Sequence, residues 1–96
     1  MSDPTLLLLS SLADGEKHGY AMMDDIQRFA GVRLGPGTLY GAITRLEAAG
    51  WIVPMGEAGA RRQPYRLTAE GRKHLEKSLA QLNNVVKTAL DRLGAV

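Results

Sequence analysis

Cysteine is absent from the 96-residue chain. That excludes disulfides, thiolate zinc sites and cysteine nucleophiles, and it fits a reducing compartment. Aromatic residues are scarce, with one Trp, one Phe and three Tyr, so the core must be built from aliphatic side chains. The only two histidines, His18 and His74, lie far apart and have no ligand spacing around them. Asp24 and Asp25 form a carboxylate pair, but neighbours on a helix point about 100° apart and do not face one another. We therefore expect no catalysis, no metal and no cofactor. No long apolar run is present either, because Leu6 to Leu9 is far too short to span a bilayer. Asp3 stands where a secretory leader would carry Lys or Arg. The expectation is a soluble cytoplasmic protein with no membrane partner.

What remains is ordinary for a globular domain: 45% hydrophobic residues, 23% charged residues and a net charge of +2. The placement of that charge is less ordinary. Residues 1–50 carry four Lys/Arg against six Asp/Glu, whereas residues 51–73 carry five against two. A local contact with an anion is better supported than a whole-surface effect.

Along the chain, Asp3 and Pro4 are a helix N-cap and first position, opening a helix over about 4–13. "DGEKHG" reads as a turn. A second helix follows over about 19–30, with Tyr20, Met23, Ile26 or Gln27, and Ala30 on one side and Gly31 as its stop. After the connector "VRLGPG", Pro36 or Gly37 opens a third helix that runs to about Ala49 and ends at Gly50. "WIVPM" reads as a short strand that Pro54 confines to a sheet edge or a strand end. "PYRL" is the returning strand, with Tyr65 and Leu67 on one face and Arg66 on the other. Thr68 caps a last helix over 69–93, with Gly71 where a capping box would want Glu. The fold class expected is mostly α with a small β-hairpin: a winged helix-turn-helix over residues 1–68, joined to a C-terminal dimerisation helix over 69–96 in one compact unit.

The third helix has an unusual outer face. Leu39, Ile43 and Leu46 form its apolar stripe, with Ala42 and Ala49 on the flank. The opposite arc holds Tyr40, Gly41, Thr44, Arg45 and Ala48, where a solvated face would carry Glu and Lys. Glycine in a helix interior costs roughly 1 kcal/mol relative to alanine. In a helix-turn-helix this is the helix that enters a major groove. Gly41 would permit close backbone approach, Thr44 and Arg45 would reach base edges or phosphate, and Tyr40 would give its hydroxyl to phosphate. Thr38 is a backbone partner or a phosphate donor. Arg61 and Arg62 in the loop, with outward Arg66, would add contacts to the DNA backbone or a minor groove. Competing readings stay open here: Tyr40 half-buried beside the second helix, and Arg45 in a surface ion pair with Asp24, Asp25 or the neighbourhood of Glu47.

In the last helix, Leu75, Leu79, Leu82, Val86, Ala89 and Leu93 step by four and three in a heptad register, widened by Val85 and Leu90. The bland reading packs this stripe on its own domain. The sharper one pairs it with a twofold mate, the leucines of the first helix helping to fill the seam.

"EKHGYAMMDDI", "LGPGTLYGAITRLEAAGWI" and "RRQPYRLTAEGRKHL" resemble the PadR family of winged-helix transcriptional regulators over roughly residues 5–75. The resemblance implies a winged helix, dimerisation through the C-terminal helix and repression at inverted-repeat operators in double-stranded DNA. It implies recognition-helix roles for Thr38, Tyr40, Gly41, Thr44 and Arg45, and a wing at 57–63. Because the chain ends after its last helix, it resembles the short subgroup without an added C-terminal domain. That helix has no aromatic residue and Trp51 reads as core, so no response to flat aromatic drugs is expected. An unidentified small-molecule inducer would act by changing the angle between the two wings. The alternative function is a winged-helix module that binds protein and not DNA.

Overall fold

The computed structural model describes residues 3–56 and 62–94. Helix α1 (Pro4–Ser11) starts as expected, the Asp3 carboxylate accepting from the Thr5 N–H at 2.9 Å. It stops earlier than periodicity suggested, tightening into a 3₁₀ turn over Leu12–Asp14. Helix α2 spans Gly19–Ala30 and α3 spans Pro36–Ala48. Both end where a glycine takes positive φ, Gly31 at 68° and Gly50 at 80°, a backbone state that side chains with a Cβ resist. Two strands follow, Ile52–Pro54 and Pro64–Leu67, and then a helix over Ala69–Gly94.

The "DGEKHG" segment corrects the sequence reading. It contains a strand, β1 (Lys17–His18), so the sheet has three strands and the Ile52–Pro54 and Pro64–Leu67 strands become β2 and β3. Strand β3 is central and antiparallel to both neighbours, pairing Tyr65 with Lys17 on one side and with Pro54 on the other. Two polar residues carry no periodicity, so only the tertiary pairing reveals β1. Pro54 sits on an edge strand and at its end, where a missing N–H costs no ladder bond.

The core is aliphatic. Leu7, Leu8, Leu9 and Leu12 from the first helical segment meet Met22, Met23 and Ile26 of α2 and Leu39, Ala42, Ile43 and Leu46 of α3. The buried side of α2 is therefore Met22, Met23 and Ile26, while Tyr20 and Ala30, expected there, are exposed. Ala42 is fully buried and Ala49 is not.

The last helix, α4 (Ala69–Gly94), is anchored at its start by close backbone approach. The Thr68 hydroxyl donates to the Gly50 carbonyl at 2.6 Å and accepts from the Gly71 N–H at 3.0 Å. The Thr68 N–H donates to the Trp51 carbonyl at 3.0 Å. A Cβ on Gly71 would overlap that same carbonyl oxygen, which explains glycine where a capping box would place Glu. His74 then stacks on Trp51 with ring centroids 3.8 Å apart.

Leu75 corrects the expected seam. At 5% exposure it belongs to the chain's own core. From Leu79 to Gly94 every residue is exposed, and the molecule measures 55 × 26 × 20 Å. The reading in which the whole stripe packs on its own domain does not hold. The leucines of α1 point into the core as well, and Leu6 alone stays half-buried.

Candidate nucleic-acid interface

Helix α3 presents the surface its sequence foretold. Its apolar stripe is buried, which turns Thr38, Tyr40, Gly41, Thr44 and Arg45 outward together. No side chain caps its start at Gly35, so the first N–H groups of α3 keep their donors. Thr38 stands in that first turn, exposed.

Gly41 meets little that requires it to be glycine. A Cβ there would touch only Arg45 Nη1, at an ordinary 3.8 Å. Nothing inside the protein offsets the helix penalty, so the space that Gly41 leaves faces an outside surface. Arg45 has no ion-pair partner among the described residues, and Asp24 and Asp25 are engaged by Arg33 and Arg28 instead. Thr44 is more committed than expected. Its hydroxyl donates to the Tyr40 carbonyl at 3.0 Å, leaving the oxygen lone pairs and the methyl group to face outward.

Tyr40 packs beside the second helix, as one of the two readings expected, and stays exposed. It is 41% exposed, yet its ring lies against Gly19 at the start of α2, where a Cβ would come within 2.5 Å of the phenol oxygen. It shares a cleft with His18, Arg62 and Tyr65. Burial first, then the Glu47 carboxylate and then the Tyr40 phenol, push the Tyr65 hydroxyl above its ordinary value of 10.0, so it remains a protonated donor at neutral pH.

The basic hairpin is brought to this side only in part. Arg62 reaches the cleft, whereas Arg61 and most of the expected wing lie outside the described residues. Arg66 is exposed in the middle of β3, on the sheet face opposite Tyr65 by strand alternation, and it does not line the cleft. The sequence reading missed His18 and Gly19 as neighbours of Tyr40. Their signal was the pairing of β1 with β3, which no local pattern carries.

Three compact helices, a three-stranded sheet and an open second helix of the helix-turn-helix define a winged-helix protein of the DNA-binding type. The comparisons with known proteins narrow the class. The model of the Transcriptional regulator PadR-like family matches residues 8–77, and the chain belongs to that family, one of transcriptional regulators and not enzymes. Among curated relatives, a transcriptional regulator of Mycobacterium tuberculosis is 36% identical over 88% of this chain and 80% of its own length. An uncharacterized 37.1 kDa protein in a transposon of Streptomyces fradiae is 47% identical over 88% of this chain, which spans only 25% of that protein. A PadR family regulator from Clostridium difficile superposes with a TM-score of 0.80 at 27% identity, covering 93% of this chain and 96% of that one. Bacillus subtilis PadR, solved in complex with operator DNA, shares the fold with a TM-score of 0.68 at 22% identity, over 78% of this chain and 45% of that one. Among the described residues no helix is long and apolar enough to cross a membrane.

Proposed function

We propose that this chain is a dimeric, DNA-binding transcriptional repressor that works in the cytoplasm on an inverted-repeat operator. One observation carries the reading: the outer face of α3 is open, with Gly41 facing no internal neighbour that needs it small and Arg45 facing no carboxylate among the described residues. A backbone bare of side chain beside a free guanidinium suits close approach to base edges in a major groove. In this reading Thr38, Tyr40, Gly41, Thr44 and Arg45 contact one half-site. Arg61, Arg62 and Arg66 add phosphate or minor-groove contacts.

The second support is α4. Its last 16 residues leave Leu79, Leu82, Val86, Ala89 and Leu93 uncovered, with Val85 and Leu90 beside them. A helix of that length is marginal in water without packing, so a twofold mate of α4 is its natural cover. The cleft of about 280 Å³ between α1 and α4, lined by Leu6, His74, Ser78, Leu82 and Val85, is the seat we assign to the mate. The reading requires that pairing to set two copies of α3 about 34 Å apart, one helical turn of DNA. A small-molecule inducer acts in this scheme by favouring a different angle between the two copies.

Selection of bound sequences from random duplex DNA tests the reading. The expected product is an inverted repeat with half-site centres about one helical turn apart. Recovery of no enriched sequence at low salt would overturn it.

A further inference from the structure

The cleft beside α3 brings together the Tyr40 and Tyr65 side chains, Arg62, Gln63 and His18. Its volume is about 180 Å³, and it lies between the start of α2, the outer side of α3 and the first residues of β3. Tyr40 leaves α3 on the exposed side, but its phenol is folded back across Gly19, whose Cβ would lie 2.8 Å from the ring carbon that bears the hydroxyl. Tyr65 enters from β3, lines the same cleft as Tyr40 and is near enough to it for the Tyr40 phenol to oppose ionisation of Tyr65. Among the described residues neither hydroxyl makes a hydrogen bond, and Arg62 has no carboxylate partner. On the rim, His18 Nδ1 accepts from the Ala21 N–H at 3.3 Å, which places the proton of the neutral ring on Nε2. A small recess with two phenol donors and a guanidinium has the chemistry of an oxyanion site.

The occupant follows from what adjoins the cleft. Gly41, Thr44 and Arg45 continue the same helix face one residue and one turn further on, so a duplex docked on that face carries its sugar-phosphate backbone past Tyr40. We propose that Tyr40, Tyr65 and Arg62 form a socket for a single phosphodiester of the duplex backbone, with Gly19 as the positioning residue that keeps the Tyr40 phenol in place. This rests on the DNA-binding reading above and adds to it a fixed point that sets the register of α3 along the groove. In it Tyr40 positions the protein and does not read sequence.

Tyr40→Phe and Tyr65→Phe remove the hydroxyls and keep the rings. Each is expected to weaken binding to the selected duplex and to an unrelated duplex by the same factor, about three- to tenfold, with the melting temperature unchanged. A duplex with one neutral methylphosphonate moved along the backbone should show one sensitive position per half-site in the native protein, and Tyr40→Phe should lose that sensitivity. Gly19→Ala should weaken binding and lower the melting temperature. Adding Tyr40→Ala to Gly19→Ala should restore the melting temperature but leave duplex affinity no better than in Tyr40→Ala alone. The proposal is overturned if Tyr40→Phe leaves both affinities unchanged, or weakens only the selected duplex. It is also overturned if millimolar inorganic phosphate raises the melting temperature of the native protein but not of Tyr40→Phe, because the socket would then serve a free anion. Those results leave DNA binding by the native protein intact. If the native protein itself retards no duplex at low salt, the DNA-binding reading fails and the socket with it.

Discussion

Two glycines in helices have opposite reasons for being glycine. At Gly41 a methyl group meets only the end of Arg45, so Gly41→Ala should stabilise the folded chain by about 0.5–1 kcal/mol through helix propensity. The same methyl group would stand between α3 and a groove floor. Duplex affinity should therefore fall while the denaturation midpoint rises, and the two measurements together separate a functional glycine from a structural one. At Gly71 the neighbour is the Trp51 carbonyl, a backbone atom that cannot rotate away. Gly71→Ala should cost about 2–3 kcal/mol or more by chemical denaturation, as overpacking does. Asp14 offers a pH test. The hydrogen bond and then the charge of Lys17 hold its carboxyl below the ordinary 3.8. A lowered folded value means that its stabilisation is present above pH 3.8 and is lost as pH falls through the folded value. The Asp14 carboxylate is exposed, so the effect is small. The difference in melting temperature between native protein and Asp14→Asn should be constant near neutrality and vanish in acid.

At the scale of elements, α4 is two structures in one helix. Its first two turns are held by the Thr68 cap, the Gly71 contact and the Trp51–His74 stack, and they bury Leu75. The remainder leaves an apolar stripe uncovered, the stripe that the proposed dimer would bury. Substitutions in the two halves should accordingly do different things. Leu75→Ala leaves a cavity and should destabilise the chain by about 2–5 kcal/mol. Leu82→Asp or Val86→Asp should leave the winged-helix core folded and convert a dimer into monomers by light scattering, with loss of tight duplex binding. The heptad register made the stripe visible in sequence, but not the division at residue 79. Where coverage by the domain stops depends on how far α1 reaches along α4.

For the whole molecule, charge placement should make duplex affinity strongly salt-dependent, since each cation set against a phosphate adds about one unit to the salt slope. Arg45→Ala should reduce affinity for the selected duplex more than for an unrelated one. Arg61→Ala with Arg62→Ala should weaken both and flatten the slope. Titrations at several salt concentrations distinguish the two, and equal behaviour of the two variants would refute the roles assigned to them.

The sequence by itself determined the three short helices, the hairpin, the exposed face of α3 and the apolar stripe of α4, because periodicity, caps and stop glycines act within a few residues of one another. Its motifs also carried the family. Tertiary structure alone decided that Lys17–His18 joins the sheet, that Leu75 is core and Leu79 is surface, and that Tyr40 rests on Gly19 beside Tyr65. Each of these depends on residues ten or more positions apart meeting in space. No local pattern records that meeting, because what fills the space beside a side chain is settled only when the elements pack.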